Sequence, residues 1–286
     1  NALTWTRVTA TEGSYDGVPT FAVDPEGKIF AHNYLDEVRV TSDDGDNWEV
    51  VLADVECCGS VLTRDAGQVW VVSPAGLLFS DNAGVNWEVW SEDKYVKAAL
   101  SPDKAFIVAA TERSVQRYDL TGNLSDTWEL PGEADVSIAD LDACTSPNNN
   151  SPQVALTTTD GRLYLNTNKS ASQGNANSWS IPDDRFSKSG SASSVSFDDQ
   201  CNLYQGLWGG YRMWTSPNGP MVPASTNAPK DRYYVAGYST TNVYTGAGPI
   251  TEIYTWEDGP AIVGSERGIW ATNEPFNAYR APSWPA

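Results

Sequence analysis

An eight-residue pattern occurs twice in this chain, at Thr41–Trp48 and at Ser80–Trp87. It reads hydroxyl residue, any residue, Asp or Asn, any residue, Gly, any two residues, Trp. An Asp or Asn side chain accepts backbone N–H groups across a turn, and Gly adopts positive φ at no steric cost. The closing Trp folds back as an apolar plug. The pattern therefore predicts two copies of one tight turn between antiparallel strands.

Each copy of the pattern lies inside a longer repeat of four short apolar segments. The order is strand, acidic or Pro/Gly turn, strand, polar turn, strand, patterned turn, strand, and six repeats can be traced. Six repeats in 286 residues average about 48 residues each, within the range of roughly 40–50 for propeller repeats. The sixth repeat lacks a fourth strand. The opening segment Leu3–Val8 is expected to supply that strand and so to remove an open sheet edge.

The pattern resembles the Asp-box, also called the BNR repeat, of sialidases, sortilin-type receptors and many other secreted β-propellers. Together with the repeats, the resemblance implies an all-β fold: a single six-bladed β-propeller domain over residues 1–286. Its blades are four-stranded and antiparallel, and the N-terminal strand closes the last blade. A seventh blade within residues 230–249 is the alternative. The resemblance covers the repeat only, because the chain has no Arg-Ile-Pro segment and is short for a sialidase. Sialidase activity is therefore not expected.

The composition excludes two classes of partner. The formal net charge is −19, with one histidine in the chain. Such an acidic chain repels polyanions, so no nucleic-acid partner is expected. No stretch approaches about 18 apolar residues, so no membrane partner or membrane-spanning segment is expected. Asn1 begins directly in the first strand, as it would in a processed mature chain.

Glycosylation motifs indicate the compartment. The Asn-x-Ser sequons at Asn123, Asn149 and Asn168 all fall in predicted loops, where an attached glycan requires them to be. They predict a secreted, extracellular glycoprotein, which we expect to be a monomer.

The four cysteines are expected to be oxidised, although they allow three pairings in principle. The repeat alignment places Cys144 and Cys201 in equivalent turns of adjacent blades, where a disulfide is geometrically reasonable. Cys57 and Cys58 would then form a vicinal disulfide in the connection before the second blade. The alternative is two free thiols in a reducing cell.

The expected site lies on the face that carries two kinds of loop. One kind joins the fourth strand of a blade to the next blade, and the other joins the second strand to the third. Aromatic rings stack on sugars, while Arg, Asp and Asn bind hydroxyl and carboxylate groups. The predicted ligand-binding residues are Tyr15, Asp16, Asn33, Cys57, Cys58, Glu112, Asp160, Trp208, Arg212, Tyr238, Glu266 and Arg267. We therefore predict a lectin-like protein with one central-face glycan site, since the loops differ strongly between repeats.

Enzymatic use of the same site is the alternative. A polysaccharide lyase needs a cation to neutralise a uronate and a base to remove a proton. The candidates for those roles are His32, Tyr34, Arg113, Arg162 and Tyr211. A glycoside hydrolase instead needs two carboxylates roughly 5–10 Å apart, for which Asp16, Asp135, Asp160 and Glu266 are candidates. A scaffold or assembly factor is a third class.

No cofactor is expected, because no His/Cys/Asp cluster has metal-ligand spacing. Structural calcium in the loops at Asp183–Asp184 or Asp198–Asp199 stays open.

Overall fold

The structure is a computed structural model that describes most of the first half of the chain and selected parts of the second. The described residues are 20–56, 59–130, 136–145, 152–166, 179–180, 194–197, 201, 203–215, 234–235, 238–255, 261–265 and 268–272. For residue 180 and for residues 207 onward, only the backbone is described. Every regular element in these ranges is a β-strand. These ranges accordingly hold no helix that is long and apolar enough to cross a bilayer.

The first sixteen strands form four antiparallel four-stranded sheets, each in sequence order. Sheet A contains β1 (Thr20–Val23), β2 (Ile29–His32), β3 (Val38–Thr41) and β4 (Glu49–Leu52). Sheet B contains β5 (Ser60–Thr63), β6 (Val69–Ser73), β7 (Gly76–Ser80) and β8 (Glu88–Ser91). Sheet C contains β9 (Lys97–Leu100), β10 (Phe106–Ala110), β11 (Ser114–Asp119) and β12 (Leu124–Glu129). Sheet D contains β13 (Ile138–Thr145), β14 (Pro152–Thr158), β15 (Leu163–Asn166) and β16 (Trp179–Ser180). The strand pattern predicted for the first four repeats is confirmed.

The remaining strands form one six-stranded sheet, sheet E. It contains β17 (Val195–Phe197), β18 (Leu203–Thr215), β19 (Tyr234–Val235), β20 (Tyr238–Thr255), β21 (Ala261–Ser265) and β22 (Gly268–Thr272). Its order is β17-β18-β20-β21-β22, with β19 paired to β20.

Sheet E corrects the prediction for the fifth repeat. In the fifth repeat, the sequence pattern predicts a turn at residues 208–211. In the structure, β18 runs through these residues and pairs with β20 in antiparallel register from Trp208↔Pro249 to Thr215↔Ser239. The glycines expected to break the strand lie at a register shift between Trp208 and Gly210. Gly often marks a bulge inside a strand, and the flanking aromatic residues favour strands, so the chain continues extended. The long connection expected over residues 227–249 likewise contains β19 and the first part of β20.

The chain forms two compact units. The first is Asn1–Ala99 with Ala109–Glu112, and the second is Leu100–Val108 with Arg113–Ala286. Sheets A and B belong to the first unit and sheets D and E to the second. The single domain over residues 1–286 stays a prediction.

The two patterned turns have the same hydrogen-bond network. In the first, the Thr41 hydroxyl accepts the Gly45 N–H at 3.1 Å and donates to Asp43 Oδ1 at 2.7 Å. Asp43 Oδ1 also accepts the Asn47 N–H at 3.0 Å. Gly45 has a φ of 92°. The predicted roles of Asp43 and Gly45 are confirmed.

The second turn repeats these contacts with other side chains. Ser80 Oγ accepts the buried Gly84 N–H at 2.9 Å, and Asn82 Oδ1 accepts the Asn86 N–H at 2.9 Å. Gly84 has a φ of 88°, and a Cβ built on it would lie 2.6 Å from Val51 Cβ. Only Gly fits there, because the turn packs directly against β4 of sheet A.

The closing tryptophans of two sheets bind the sheet before them. Trp87 Nε1 donates to the carbonyl of Val51 in β4 at 2.9 Å. Trp179 Nε1 likewise donates to the carbonyl of Glu129 in β12 at 2.9 Å. Trp48 differs, because its Nε1 donates at 3.0 Å to Gly45 inside its own turn. In sheets B and D the closing tryptophan therefore makes a hydrogen bond to the preceding sheet, in addition to the packing role predicted for it.

Sheets A and B pack face to face in the first unit. Val61 and Val69 of sheet B are buried against Phe30, and Ala22 and Val40 complete the cluster. Beside this cluster, the Thr20 hydroxyl accepts the Val61 N–H at 3.2 Å. This polar contact fixes which residues of the two sheets face each other. The same device recurs one sheet later, because Ser60 Oγ accepts the Ala98 N–H at 2.9 Å.

Sheets D and E are joined by the same kind of contact in the second unit. Asp140 Oδ2 accepts the Val195 N–H at 2.9 Å, and Asp142 Oδ2 accepts the Phe197 N–H at 2.6 Å. Two residues further along β13, Cys144 forms a disulfide with Cys201. The predicted Cys144–Cys201 pairing is confirmed, whereas Cys57 and Cys58 lie outside the described residues.

The serine of the second patterned turn is expected to be important for stability. We expect Ser80→Ala to lower the free energy of unfolding by about 1–2 kcal/mol, because the buried Gly84 N–H loses its acceptor. Ser80→Thr supplies the hydroxyl used in the first turn and is expected to retain stability. Ser42→Ala, at an exposed neighbouring position, is the control. Urea denaturation measures all three, and equal losses for Ser80→Ala and Ser42→Ala would refute the role of the hydroxyl.

Candidate functional site

The connection that leaves a sheet is fixed to the turn between that sheet's second and third strands. In sheet A the Val55 N–H donates to the Asp36 carbonyl at 2.9 Å, and in sheet B the Tyr95 N–H donates to the Ser73 carbonyl at 3.2 Å. In sheet C the Leu130 N–H donates to the Arg113 carbonyl at 2.7 Å. Val55, Tyr95 and Leu130 are all buried. The two kinds of loop chosen for the site therefore lie together at one edge of each of these sheets.

Sheet A presents an exposed aromatic side chain at this edge. Tyr34 is 60% exposed and Leu35 53% exposed, at the tip of the β2–β3 turn. Asn33 is buried and holds the turn, because its Oδ1 accepts the N–H groups of Leu35 at 2.9 Å and Glu37 at 3.1 Å. Asn33, predicted to bind ligand, is thus the residue that shapes the turn. Tyr34 is the residue that the turn displays.

A charged pair borders the same turn. Arg39 Nη2 lies 2.8 Å from Glu37 Oε2, and both side chains are about three-quarters buried. Neither residue was among the predicted site residues. The alternation of Glu37 and Arg39 across one face of a strand is the sequence signal that would have found them.

His32 lies in the core. Its ring is fully buried, and Nε2 lies 3.0 Å from the carbonyl oxygen of Val55. A carbonyl only accepts, so Nε2 carries the proton and Nδ1 is the bare nitrogen. Burial lowers the pKa of His32, against opposing contributions from the Val55 hydrogen bond and the Asp36 charge. The catalytic role of His32 stays a prediction that this burial does not favour, because the ring holds the connection after β4.

Arg113 binds backbone carbonyl groups of its own region. Nη1 donates to Val136 O at 3.0 Å and Nη2 donates to Leu130 O at 3.4 Å. The guanidinium thus holds the two ends of the connection between sheets C and D. Its neighbour Glu112 is exposed. The guanidinium that was expected to neutralise a uronate therefore makes hydrogen bonds to the backbone of its own region.

The corresponding turn of sheet D carries a partly exposed ion pair. Arg162 Nε lies 2.9 Å from Asp160 Oδ2, and about a third of each side chain is exposed. Asp160 also accepts a hydrogen bond from the Thr158 hydroxyl. Asp160 and Arg162 therefore lie together, as their spacing in the sequence suggested.

The other predicted site residues fall into two groups. Trp208, Tyr211 and Arg212 lie within strand β18, and Tyr238 begins β20, so none of the four is in the loop where it was expected. The remaining ligand-binding candidates lie outside the described residues: Tyr15, Asp16, Cys57, Cys58, Glu266 and Arg267. So do the sequons at Asn149 and Asn168. Asn123 is exposed in the β11–β12 turn, and its Nδ2 donates to Asp119 Oδ2 at 3.0 Å.

A groove of about 710 Å3 lies at the opposite edge of sheets A and B. Its lining includes Lys28, Asp43, Asn47, Trp48 and Val85. Hydrogen bonds from Asn47 and Thr41 hold the pKa of Asp43 at about 2. The carboxylate is therefore a turn cap rather than a proton donor. The groove is bordered by the patterned turns and by none of the predicted site residues.

Among the described residues, no three His, Cys, Asp or Glu side chains are grouped so as to hold a metal ion. Of the four predicted carboxylates, only Asp160 lies within the described residues. What the geometry offers is an exposed Tyr ring on a hydrogen-bonded turn, with Arg–carboxylate pairs at turns of the same kind.

A buried acid was missed by the sequence reasoning. Burial raises the pKa of Asp142 to about 7, opposed by hydrogen bonds from the Phe197 and Ala143 N–H groups and reinforced by the charge of Asp140. Asp140, Asp142 and Cys144 alternate along β13, so they lie on one face of sheet D. This alternation can be read from the sequence. Whether the shared face is buried can be judged only once the neighbouring sheet is known.

The comparisons with known proteins support the fold. No protein-family model matches the sequence, and no curated protein matches it. Among solved structures 1087 chains match, so the fold is widespread and selects no activity. One is the hydrazine synthase of Kuenenia stuttgartiensis, a β-propeller protein. It matches at a TM-score of 0.63 and 15% sequence identity, over 89% of this chain and 83% of that chain.

These findings are consistent with an all-β fold of the β-propeller type, with four antiparallel four-stranded sheets and one six-stranded sheet. At 15% identity the likeness concerns the fold alone.

The single histidine gives a direct test of the buried ring. We expect the His32 ring to titrate below the ordinary value of 6.5, because burial disfavours the charged imidazolium. The chain has one histidine, so NMR of its ring protons reports this group without ambiguity. A midpoint at or above 6.5 would contradict the placement of His32 in the core.

Asp142 is expected to make the fold more stable in mild acid than at neutral pH. Its pKa rises from 3.8 to about 7 on folding, so the native state holds the extra proton between those values. Stability therefore falls as the pH rises through that window and is constant with respect to this group above it. We expect Asp142→Asn to remove this component, measured as the difference between unfolding free energies of the two proteins from about pH 4 to about pH 8. Exposed Asp81→Asn is the control, and identical difference curves would refute the assignment.

Proposed function

We propose that this protein is a secreted, lectin-like β-propeller that binds a glycan at one central-face site. The observation that carries the proposal is the hydrogen-bonded turn Asn33–Glu37, which displays the exposed Tyr34 ring. Aromatic rings stack on the apolar faces of sugars, and a turn that is already ordered loses little conformational freedom on binding. Leu35 widens the apolar surface, and the Glu37–Arg39 pair next to the turn supplies groups for hydroxyls.

The burial and the hydrogen-bond partners of the candidate catalytic residues favour ligand binding over catalytic turnover. His32 is buried against Val55, and Arg113 is used by the carbonyls of Leu130 and Val136. Arg162 is paired with Asp160. A lyase would need a cation and a base in contact with substrate. The polysaccharide lyase or glycoside hydrolase alternative therefore rests on residues outside this set, and the experiment below tests it.

The proposed architecture is a closed ring of six Asp-box blades, with seven as the alternative. Support comes from the face of β1 that points away from sheet B. Phe21 is 54% exposed and Val23 is 51% exposed on that strand. In sheet B the residue that corresponds to Phe21 is Val61, which is buried against sheet A. A ring closed by the N-terminal strand would cover the equivalent face of sheet A.

The compartment and partners follow from composition. A net charge of −19 disfavours nucleic acid, and the Cys144–Cys201 disulfide fits an oxidising, extracellular environment. Asn123 is exposed where an N-glycan would need it. We propose a monomer with a saccharide partner and without a resident cofactor.

A glycan array with an absorbance assay for unsaturated products on polyuronates tests the proposal. We expect wild-type protein to bind a glycan class without producing new absorbance. Tyr34→Ala is expected to weaken that binding about 5- to 30-fold, because one stacked ring contributes about 1–2 kcal/mol.

Val85→Ala is the matched control. Val85 is 76% exposed in the patterned turn of sheet B, at the opposite edge from the β2–β3 turns. It should bind as wild type does. No binding to any glycan would refute the proposal, and equal binding by all three proteins would show that Tyr34 is not at the site. New absorbance would establish the lyase alternative.

A further inference from the structure

Two buried hydrogen-bonding groups lie at one end of the contact between sheets D and E. In the described part of the chain, Thr157 Oγ1 and Gln205 Oε1 are buried and have no hydrogen-bond partner. Thr157 is 0% exposed and Gln205 is 4% exposed. A buried polar atom without a partner costs about 1–3 kcal/mol, so two such atoms at one contact call for an explanation.

Strand pairing brings these groups together. Thr157 pairs with Asp140 and with Leu163, and Gln205 pairs with Val195. Directly paired residues of antiparallel strands share a face. Leu163 and Val195 belong to the buried cluster between the two sheets, so Thr157 and Gln205 both face into that contact.

The carboxylate of Asp140 is part of the same group. It accepts the N–H of Val195, the residue opposite Gln205. The polar group therefore consists of one carboxylate, one hydroxyl and one amide carbonyl. It closes one end of an apolar contact whose other end is the Cys144–Cys201 disulfide.

The corresponding place between sheets A and B serves as an internal reference. There the Thr20 hydroxyl accepts the Val61 N–H, as Asp140 accepts that of Val195. Val61 pairs with Val71, so Val71 corresponds to Gln205. Val71 is fully buried in an apolar cluster.

The reference shows that the fold does not require a polar residue at this position. Valine closes the contact between sheets A and B, whereas Gln205 brings an acceptor that the described residues leave unused. Gln is an expensive residue to bury unless something donates to it. The position of Thr157 is occupied in sheet A by His32, whose Nδ1 is likewise buried without a partner, so Gln205 is the residue that distinguishes the contact between sheets D and E. Its unused acceptor points to a bound group at this contact.

The available atoms specify the chemistry of that group. An amide carbonyl and a carboxylate need a donor, while the hydroxyl of Thr157 both donates and accepts. A metal cation is disfavoured, because calcium takes 6–8 oxygen ligands and only one charged group is present. A single neutral hydroxyl oxygen satisfies the set, since it donates to one acceptor and accepts from one hydroxyl.

We propose that Thr157 and Gln205, with Asp140 beside them, form a built site for one neutral hydroxyl oxygen. A buried water, which usually makes about three hydrogen bonds, is one source. A hydroxyl of a bound saccharide is the other, and this second source rests on the proposed glycan function. In either case the oxygen joins sheet D to sheet E at the end opposite the disulfide.

High-resolution structures of the free protein and of the protein with digalacturonate distinguish the sources. We expect an oxygen within hydrogen-bond distance of both Thr157 Oγ1 and Gln205 Oε1. An isolated oxygen in both structures identifies water, and an oxygen continuous with the sugar identifies the saccharide. Well-ordered side chains without an oxygen between them in either structure overturn the site. An isolated oxygen in a protein that binds no glycan leaves the site intact and refutes only the glycan proposal.

Thermal unfolding of variants gives an independent measurement. Thr157→Val keeps the shape but removes the hydroxyl, so we expect the melting temperature to fall if an oxygen is bound. Thr157→Ser should restore it. Gln205→Val introduces the residue used in sheet B and should also lower the melting temperature. A rise for either valine variant would mean that an unsatisfied group had been removed, and would overturn the proposal.

Discussion

The structure depends on a hydrogen bond that joins the first strands of neighbouring sheets. A side chain at the start of one sheet accepts the backbone N–H of the next, as in Thr20 with Val61 and Asp140 with Val195. Apolar faces alone pack with little directional preference, because the hydrophobic effect is not directional. A polar contact at the inner strand fixes which residues face each other. The burial of Phe30 against Val61 and Val69 follows from that register.

Single hydrogen bonds also position the loops. In sheets A, B and C the connection after the fourth strand donates one N–H to the turn between strands two and three, so the two loops form a single surface. In sheet A this is reinforced by His32, whose ring reaches the carbonyl of Val55 from inside. The Tyr34 turn is therefore supported from below by a buried imidazole. The turn thus presents the exposed Tyr34 side chain on a backbone that hydrogen bonds hold in place.

The fold was largely predictable, because strand period and turn chemistry are local properties of the sequence. Gly45 and Asp43 revealed their turn, and the repeat then located the other strands of the first four sheets. Trp208 and Tyr211 were misplaced because Gly-Gly between aromatic residues is compatible with a turn or a bulge, and only pairing with β20 decides.

The site was less predictable than the fold. His32 and Arg113 were chosen because their charge and position suggested chemistry. Burial and backbone partners, which depend on neighbouring segments, give both of them hydrogen bonds within the fold that the sequence did not reveal. The same holds for Asn33, whose side-chain oxygen accepts hydrogen bonds from its own turn. The exposure of Tyr34 could be expected, because it lies at the tip of a turn. Gln205 could not have been recognised at all without the corresponding Val71.

The link between Cys144 and Cys201 has a practical consequence for the 57-residue stretch that it spans. A peptide bond cleaved anywhere inside this stretch leaves both fragments covalently joined, so the protein keeps its full mass until a reductant is added. Insertions or swapped segments there would not change how far apart the tethered ends can drift. The sequons Asn149 and Asn168 also occur within this stretch.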